Sequence, residues 1–400
     1  MPRELGADGV WRRVQNRVRL GMHLKPRLLT AEVVYSGLGT PRADGAAVLQ
    51  GDRIAMVGSL TDAQASYPGV PVEHAGFALS PPPVNAHTHL DLSTLPYFTG
   101  SYEDFIRHVV RQGGLRGAAA AAAGFEELQG SGVGAVGDIV ENAEAMRFLL
   151  GTSGLKGIAY WEVFAPDPAD AEKKFAEVVA QLREFRGLER PDGPKLGLSP
   201  HTPHTVSGPL LQKLARLARA EELPLQIHVG ESPAELELHT RGSGPLYELM
   251  RPFLGGWKPS GLSPVAHLAD LGVLEAKPTL VHMVNVSEDD VRTVAKAGCT
   301  VVHCPRSNEG VRCGRFPWGL YAKHGVEIAF GTDSKGSSPD LDVHNEVRAA
   351  RALHGDKASP LALVRAAVNG GYRALGLTPP RFTRGDGADA LYVWDDATGV

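Results

Sequence analysis

Between Phe77 and Ser334 the chain repeats one pattern: a short apolar run that closes on a polar residue, then a longer segment of helical period. The runs are FALSPPPVNAHTHL, GVGAVGDIV, GLKGIAYWEVF, KLGLSPHT, LPLQIHVGE, PTLVHMVNV, CTVVHCPRSN and VEIAFGTDS. Short, nearly unbroken apolar runs fit strands buried on both faces of a parallel sheet. Segments such as DAEKKFAEVVAQLREF, GPLLQKLARLARAEE and SEDDVRTVAKAG space their apolar residues three and four apart, as helices with one buried side do. Ala118 to Ala123 also reads as an ordinary helix, alanine being the best helix former. Eight strands alternating with helices predict an α/β fold of parallel βαβ units, and eight is the number that closes a TIM-like (β/α)8 barrel. A doubly wound open sheet is the second reading.

The two ends differ from this middle. From about Leu28 to Phe77, LLTAEVVYSG and AAVLQGDRIAMVGS alternate apolar and polar residues around Gly and Asp turns, and GDGADALYVWDD near the C-terminus has the same character. The pattern predicts a small β-domain, expected as a β-sandwich, assembled from both termini. Its parts would be residues 1–77, which include an N-terminal extension, and 379–400, around a barrel at 78–378.

Composition narrows the function classes. Lys and Arg total 41 against 45 Asp and Glu, a net charge of -4, so no basic surplus points to nucleic acid or an anionic membrane. Cys299, Cys304 and Cys313 form neither a disulfide framework nor a zinc-ribbon pattern and read as reduced thiols of a cytoplasmic protein. No apolar run reaches about 18 residues, the length of a membrane span. The first twenty residues are Arg-rich without an apolar core, which argues against a secretory signal and for an extension.

The chemistry stands at the strand ends, where barrel enzymes carry their catalytic groups. In chain order these ends hold His87 and His89, Asp138, Glu162, His201, His228, His282, His303 and Asp333. His87 and His89 are two apart, so on a strand both imidazoles face one point. Alone, that spacing also fits a pair of solvated histidines. His228 and Asp333 complete three imidazoles and a carboxylate, donors suited to a borderline divalent ion such as zinc. Glu231, three residues after His228, is placed to move protons between water and substrate, with a surface-loop glutamate as the plain alternative. His282 would polarise a substrate or steady the attacking water, or else serve as a hydrogen-bonded support. His201 and His204, in SPHTPHTVS, point to substrate rather than metal, and for His204 a helix-capping role competes. His303 and Cys304 read as core residues. His23, His74, His108, His267, His324, His344 and His354 fall away from the strand ends and read as structural.

VNAHTHLDLS, IHVGES, LVHMVNVS, CPRSN and GTDS, in that order, resemble the amidohydrolase superfamily, over about Ala31 to Asp395. They are most similar to its branch acting on aminated N-heterocycles, which includes guanine, S-adenosylhomocysteine and aminodeoxyfutalosine deaminases and triazine chlorohydrolases. The resemblance implies that His87, His89, His228 and Asp333 bind one zinc or iron ion, that Glu231 shuttles protons and that His282 attends the attacking water, with Asp333 accepting its proton. Binuclear members keep a carboxylated lysine at the end of the fourth strand; His201 stands there instead, which implies a single metal. SYEDFIRHVV resembles the helix lining the substrate pocket, with Phe105 and Arg107 as contact candidates, although a plain amphipathic helix explains them equally. Glu162 in YWEVF, and Arg306 and Asn308 in CPRSN, resemble other pocket-lining strips, a surface salt bridge being the alternative for Arg306. The family also implies the terminal β-domain, whose C-terminal share is short here, and a homodimer. The expected activity is hydrolytic deamination of an adenosine-like compound, 6-aminodeoxyfutalosine among them. Dechlorination or amide hydrolysis of another ring, and a metal-free assembly role, are the alternatives.

Overall fold

A computed structural model describes residues 4–5, 11–12, 25–37, 40–152 and 154–395. Most of the N-terminal extension therefore lies outside the described residues; within it, Glu4–Leu5 pairs antiparallel with Trp11–Arg12. Contacts divide the chain into two units, one of Met1–Pro83, Leu128–Gly134 and Thr378–Val400, the other of Val84–Glu127 and Ala135–Leu377.

The first unit is built on a five-stranded sheet. Its strands are β1 (Arg27–Val34), β2 (Gly45–Gln50), β3 (Arg53–Ser59), β4 (Val72–Ser80) and, from the far end of the chain, β13 (Tyr392–Trp394). Their order is β13-β4-β1-β2-β3, with β1 and β4 parallel and the other neighbours antiparallel. Alternation along the strands feeds two cores. Leu29, Ala31, Ala47 and Leu49 join Leu79, Phe382 and Leu391 on one side, while Leu28, Ala46 and Val48 join Ala63 of helix Leu60–Ser66 on the other. The Trp394 indole donates to Ser80 Oγ at 2.8 Å and so satisfies its polar edge inside the core. A facing second sheet, as a sandwich needs, is not seen among the described residues.

The second unit carries the eight predicted strands in chain order: β5 (Val84–Thr88), β6 (Ala135–Val140), β7 (Lys156–Val163), β8 (Lys195–Pro200), β9 (Gln226–Val229), β10 (Thr279–His282), β11 (Val301–His303) and β12 (Ile328–Phe330). They form two four-stranded parallel sheets, β8-β7-β6-β5 and β9-β10-β11-β12. Between the sheets the ladder reduces to a few links. A parallel bridge pairs Leu198 with Leu225, and the Asp333 N–H donates to the His87 carbonyl at 3.0 Å. Strands β11 and β12 are only three residues long, so the second seam rests on the loop that follows.

Helices follow the strands as their periodicity predicts, over Ala171–Arg186, Gly208–Ala220 and Glu288–Ala297. The last begins in a capping box, Ser287 with Asp290, and stops at Gly298, whose φ of 70° suits a left-handed cap. The alanine tract opens helix Ala118–Ser131. Among the described residues no helix is long and apolar enough to cross a membrane. Cys299, Cys304 and Cys313 are buried free thiols.

Candidate active site

The ends of β5, β9 and β10 and the loop after β12 bring four imidazoles and a carboxylate together. His87, His228 and His282 form one group whose candidate ligand atoms lie within 4.8 Å of one another, and His87, His89 and Asp333 form another. All five residues are buried. His87 is fixed from behind: its Nδ1 lies 2.7 Å from Gln226 Oε1, and Gln226 in turn donates to the Ala86 carbonyl. Because an amide oxygen only accepts, Nδ1 carries a proton, and Nε2 is the nitrogen turned toward the site. That Nε2 is buried without a hydrogen-bond partner and faces Asp333 Oδ1 at 3.5 Å. His228 repeats the device, Nδ1 donating to the His201 carbonyl at 3.0 Å, and its Nε2 lies 3.3 Å from Nε2 of His89. Imidazole nitrogens and a carboxylate turned toward one point, with the outer nitrogens of His87 and His228 engaged and that of His89 without a partner, fit a divalent cation.

Electrostatics agree with that fit. Burial, reinforced by the neighbouring imidazoles, pushes His89 and His228 far below the usual histidine range, so both are neutral donors at pH 7. Burial opposes the charge on Asp333, yet the contact with His87 outweighs it and holds the carboxyl well below its usual range. Asp333 Oδ2 also accepts from Ser307 Oγ at 2.7 Å and Ser337 Oγ at 3.0 Å, and Oδ1 from the Ser334 N–H.

Two of these residues adopt backbone that side-chain-bearing residues seldom use. His282 has a φ of 72° and Asp333 of 62°. Left-handed conformations of this kind cost on the order of 1–3 kcal/mol each and collect at functional sites. Gly331 shows why GTDS begins as it does: a Cβ there would sit 2.7 Å from the His87 Cβ. Only a glycine lets this backbone approach closely enough for Asp333 to bond to His87.

Glu231 follows Gly230, whose φ of 62° turns the chain out of β9. Ser232 and Pro233 then cap and start helix Pro233–Arg241. The Glu231 carboxylate is buried; Oε2 accepts from the Tyr102 hydroxyl at 2.9 Å, and Oε1 lies 3.6 Å from His282 Nε2. Burial, then the charges of Asp333 and Glu235, raise its pKa well above the ordinary glutamate range. Burial brings His282 down to about 3, and Asn308 Nδ2 donates to its Nδ1 at 3.0 Å. This leaves the Nε2 proton of His282 facing Glu231. Glu231, His282 and Asp333 make a third convergent group within 4.8 Å.

The other predicted residues divide. Glu162 and His201 stand beside His228 within 4.8 Å. His201 Nε2 lies 3.9 Å from Glu162 Oε1, its Nδ1 meets Thr205 Oγ1 at 2.8 Å, and its ring packs on Phe164 at 4.3 Å. Burial raises Glu162 to about 8. Asp138 turns to structure and accepts the Leu90 N–H at 2.8 Å. Phe105 packs in the apolar cluster of Tyr102, Leu238, Leu246 and Cys313. Arg107 is exposed, pairs with Asp104 at 2.8 Å and lines a surface cleft with Phe98, His108 and Arg111. Arg306 is not brought to the site either. Its Nε is held by Glu346 at 2.5 Å and its Nη2 by Asp340 at 2.8 Å in an internal network. Asn308 stands at the site, its Nδ2 engaged with His282 and its Oδ1 buried without a partner.

Several supporting residues are absent from the sequence reading: Gln226, Tyr102, Ser307, Ser337 and Cys313, whose thiol lies 3.8 Å from Glu231. Gln226 carried a usable signal, since it stands two residues before His228 on the same strand and so shares its face.

A parallel α/β frame with imidazoles and carboxylates converging at its strand ends defines an enzyme class built around a candidate metal centre. Residues 78–396 match the amidohydrolase family, and the chain belongs to it. It is 46% identical over 379 residues to an aminodeoxyfutalosine deaminase of Deinococcus radiodurans, covering 92% of this chain and 90% of that protein. It is 28% identical to a 5-methylthioadenosine/S-adenosylhomocysteine deaminase of Halobacterium salinarum, covering 82% of this chain and 75% of that protein. Among solved structures, Helicobacter pylori aminofutalosine deaminase in complex with methylthio-coformycin superposes with a TM-score of 0.75 at 21% identity, covering 90% of each chain. Atrazine chlorohydrolase of Arthrobacter aurescens, complexed with zinc, gives a TM-score of 0.68 at 16% identity, over 90% of this chain and 85% of that one.

Proposed function

We propose that the chain catalyses hydrolytic deamination of an aminated N-heterocycle, an adenosine-like compound of the aminodeoxyfutalosine type. The observation that carries this reading is the buried carboxyl of Glu231, its pKa raised by burial, set against His282 and Asp333. Deamination needs a group that gives a proton to the ring and later takes one back, and Glu231 is buried and poised for both transfers. The 46% identity to an aminodeoxyfutalosine deaminase supports the substrate class.

His87, His89, His228 and Asp333 would hold one divalent ion, zinc from the three-imidazole, one-carboxylate donor set. When bound, such an ion supplies Lewis acidity that makes water a nucleophile at neutral pH. Asp333 takes a proton from the attacking water, while the Nε2–H of His282 orients it. Water oxygen bonds to the ring carbon that bears the amine as Glu231 protonates the adjacent ring nitrogen. The tetrahedral carbon then collapses: its C–N bond breaks as the amine takes the proton held by Asp333, the hydroxyl proton passes to Glu231 as C=O forms, and ammonia leaves with both carboxyls restored. Glu162 and His201, beside His228, are the residues we assign to the substrate, with Phe105 on the wall behind Glu231.

We also take the two seams of the larger unit, Leu198 with Leu225 and Asp333 with His87, as the closure of an eight-stranded barrel. A sandwich form of the small domain and a homodimer rest on the family resemblance.

The test is ammonia release from zinc-loaded protein offered a panel of 6-aminodeoxyfutalosine, S-adenosylhomocysteine, adenosine, guanine and a chlorinated triazine. Release from the adenosine derivatives, without chloride from the triazine, is expected. Protein that holds its metal yet releases no ammonia from any of these purines would overturn the reading.

A further inference from the structure

Outside the site just described, one cluster has the makings of a ligand site. His204 lies in the loop after β8, and Glu235 and His239 lie on helix Pro233–Arg241. Glu235 and His239 are four residues apart, which puts them on one face of that helix. One candidate ligand atom from each of the three lies within 4.8 Å of the others, and all three residues are buried. The ring centroids of His204 and His239 are 5.6 Å apart, close to the 5.0 Å of His87 and His228 and the 5.4 Å of His89 and His228.

Three ring nitrogens here, Nδ1 of His204 and both nitrogens of His239, are buried without a hydrogen-bond partner. A native interior leaves few such groups unmatched, and each calls for a ligand, a water or a functional reason. Glu235 presents the complementary problem. Its carboxylate accepts the N–H groups of Gly230 at 3.1 Å and Glu231 at 2.7 Å but has no ion-pair partner among the described residues. Burial holds His204 down at about 3 and His239 well below the usual histidine range, so two neutral imidazoles face the Glu235 carboxyl, which burial raises to about 7. One divalent ion would take a nitrogen from each ring and hold the Glu235 carboxyl ionised, leaving only the second nitrogen of His239 without a partner.

We propose that His204, Glu235 and His239 form a second metal site, for a divalent ion of the zinc class, separate from the strand-end centre and sharing no ligand with it. Two imidazoles and a carboxylate are an established donor set for such an ion, with the fourth position left to water. Its role follows from what the ligands are attached to. The ion ties the loop after β8 to the helix after β9 and fixes the carboxylate that grips the backbone of Gly230 and Glu231.

The test is elemental analysis of the full-length protein, purified without chelator from zinc-supplemented cells. About two zinc ions per chain are expected in the wild type and about one in each of His239→Leu, His204→Gln and His228→Ala. Should His239→Leu fail to fold, His204→Gln and the wild-type count against His228→Ala still decide the matter. A wild type with about one zinc ion, lost in His228→Ala, would overturn the second site while leaving the strand-end centre intact. Two ions retained in both His204→Gln and His239→Leu would also overturn it. A wild type without zinc would sink both sites together.

Discussion

His228 and His303 both sit on strands of the second parallel sheet, and both are buried, yet the structure gives them opposite surroundings. Behind His228 lies a carbonyl that takes its Nδ1 proton, so a lone pair faces His89 and the neighbouring ligands. Behind and around His303 lie aromatic rings. It stacks on Phe316 at 4.0 Å with 9° between the planes, and its Nε2 meets Nε2 of His354 at 3.1 Å. A strand-end position therefore does not make a ligand. What makes one is an acceptor on the outer nitrogen together with a carboxylate in front.

The sharpest way to break the comparison is to delete one histidine from each region. His228→Ala is expected to abolish both zinc at the strand-end centre and turnover, whereas His303→Gln keeps both; equal metal loss in the two variants would erase the distinction. Next in size is Glu231→Gln, which removes the proton carrier and leaves every proposed ligand. It should hold its metal while kcat falls on the order of 10²–10⁴-fold. Turnover near wild type in a metal-replete Glu231→Gln preparation would take Glu231 out of the mechanism. Gln226→Leu tests the support of His87 alone. Metal affinity, read by competition with a chelator, should weaken by roughly 10–100-fold, the usual effect of removing a partner behind a ligating histidine. An unchanged affinity would mean that Gln226 is a packing residue.

What the sequence made legible follows from which forces are local. The order of eight strands and their helices was readable because burial on both faces writes apolar runs into each strand. The spacing of His87 and His89 carried their common direction for the same reason. Long-range partners left no such trace. Tyr102 reaches Glu231 across 129 positions, and Arg306 is captured by Glu346 across 40, so the motif CPRSN alone could not tell a substrate contact from an internal ion pair. The left-handed backbone of His282 and Asp333 was equally hidden, since neither residue type announces it as glycine does.

The smallest effect expected concerns acid. In the aromatic region, burial first, then Arg315 and Lys357, bring His354 down to about 4, whereas in an unfolded chain it titrates near 6.5. The unfolded state therefore binds the proton first, and stability must fall as pH drops from about 6.5 toward about 4, while above that window this residue costs nothing. His354→Gln removes that proton uptake and breaks the contact with His303. The variant should lose about 0.5–3 kcal/mol at pH 7, within the common range for a single substitution, and yet lose less than the wild type as the pH is lowered. Urea unfolding of metal-loaded protein at pH 7.0, 6.0 and 5.0, values chosen to span about this titration range, would read both slopes. Parallel slopes would mean that His354 carries its charge inside the fold, and the aromatic region would then be a second charged cluster rather than a neutral one.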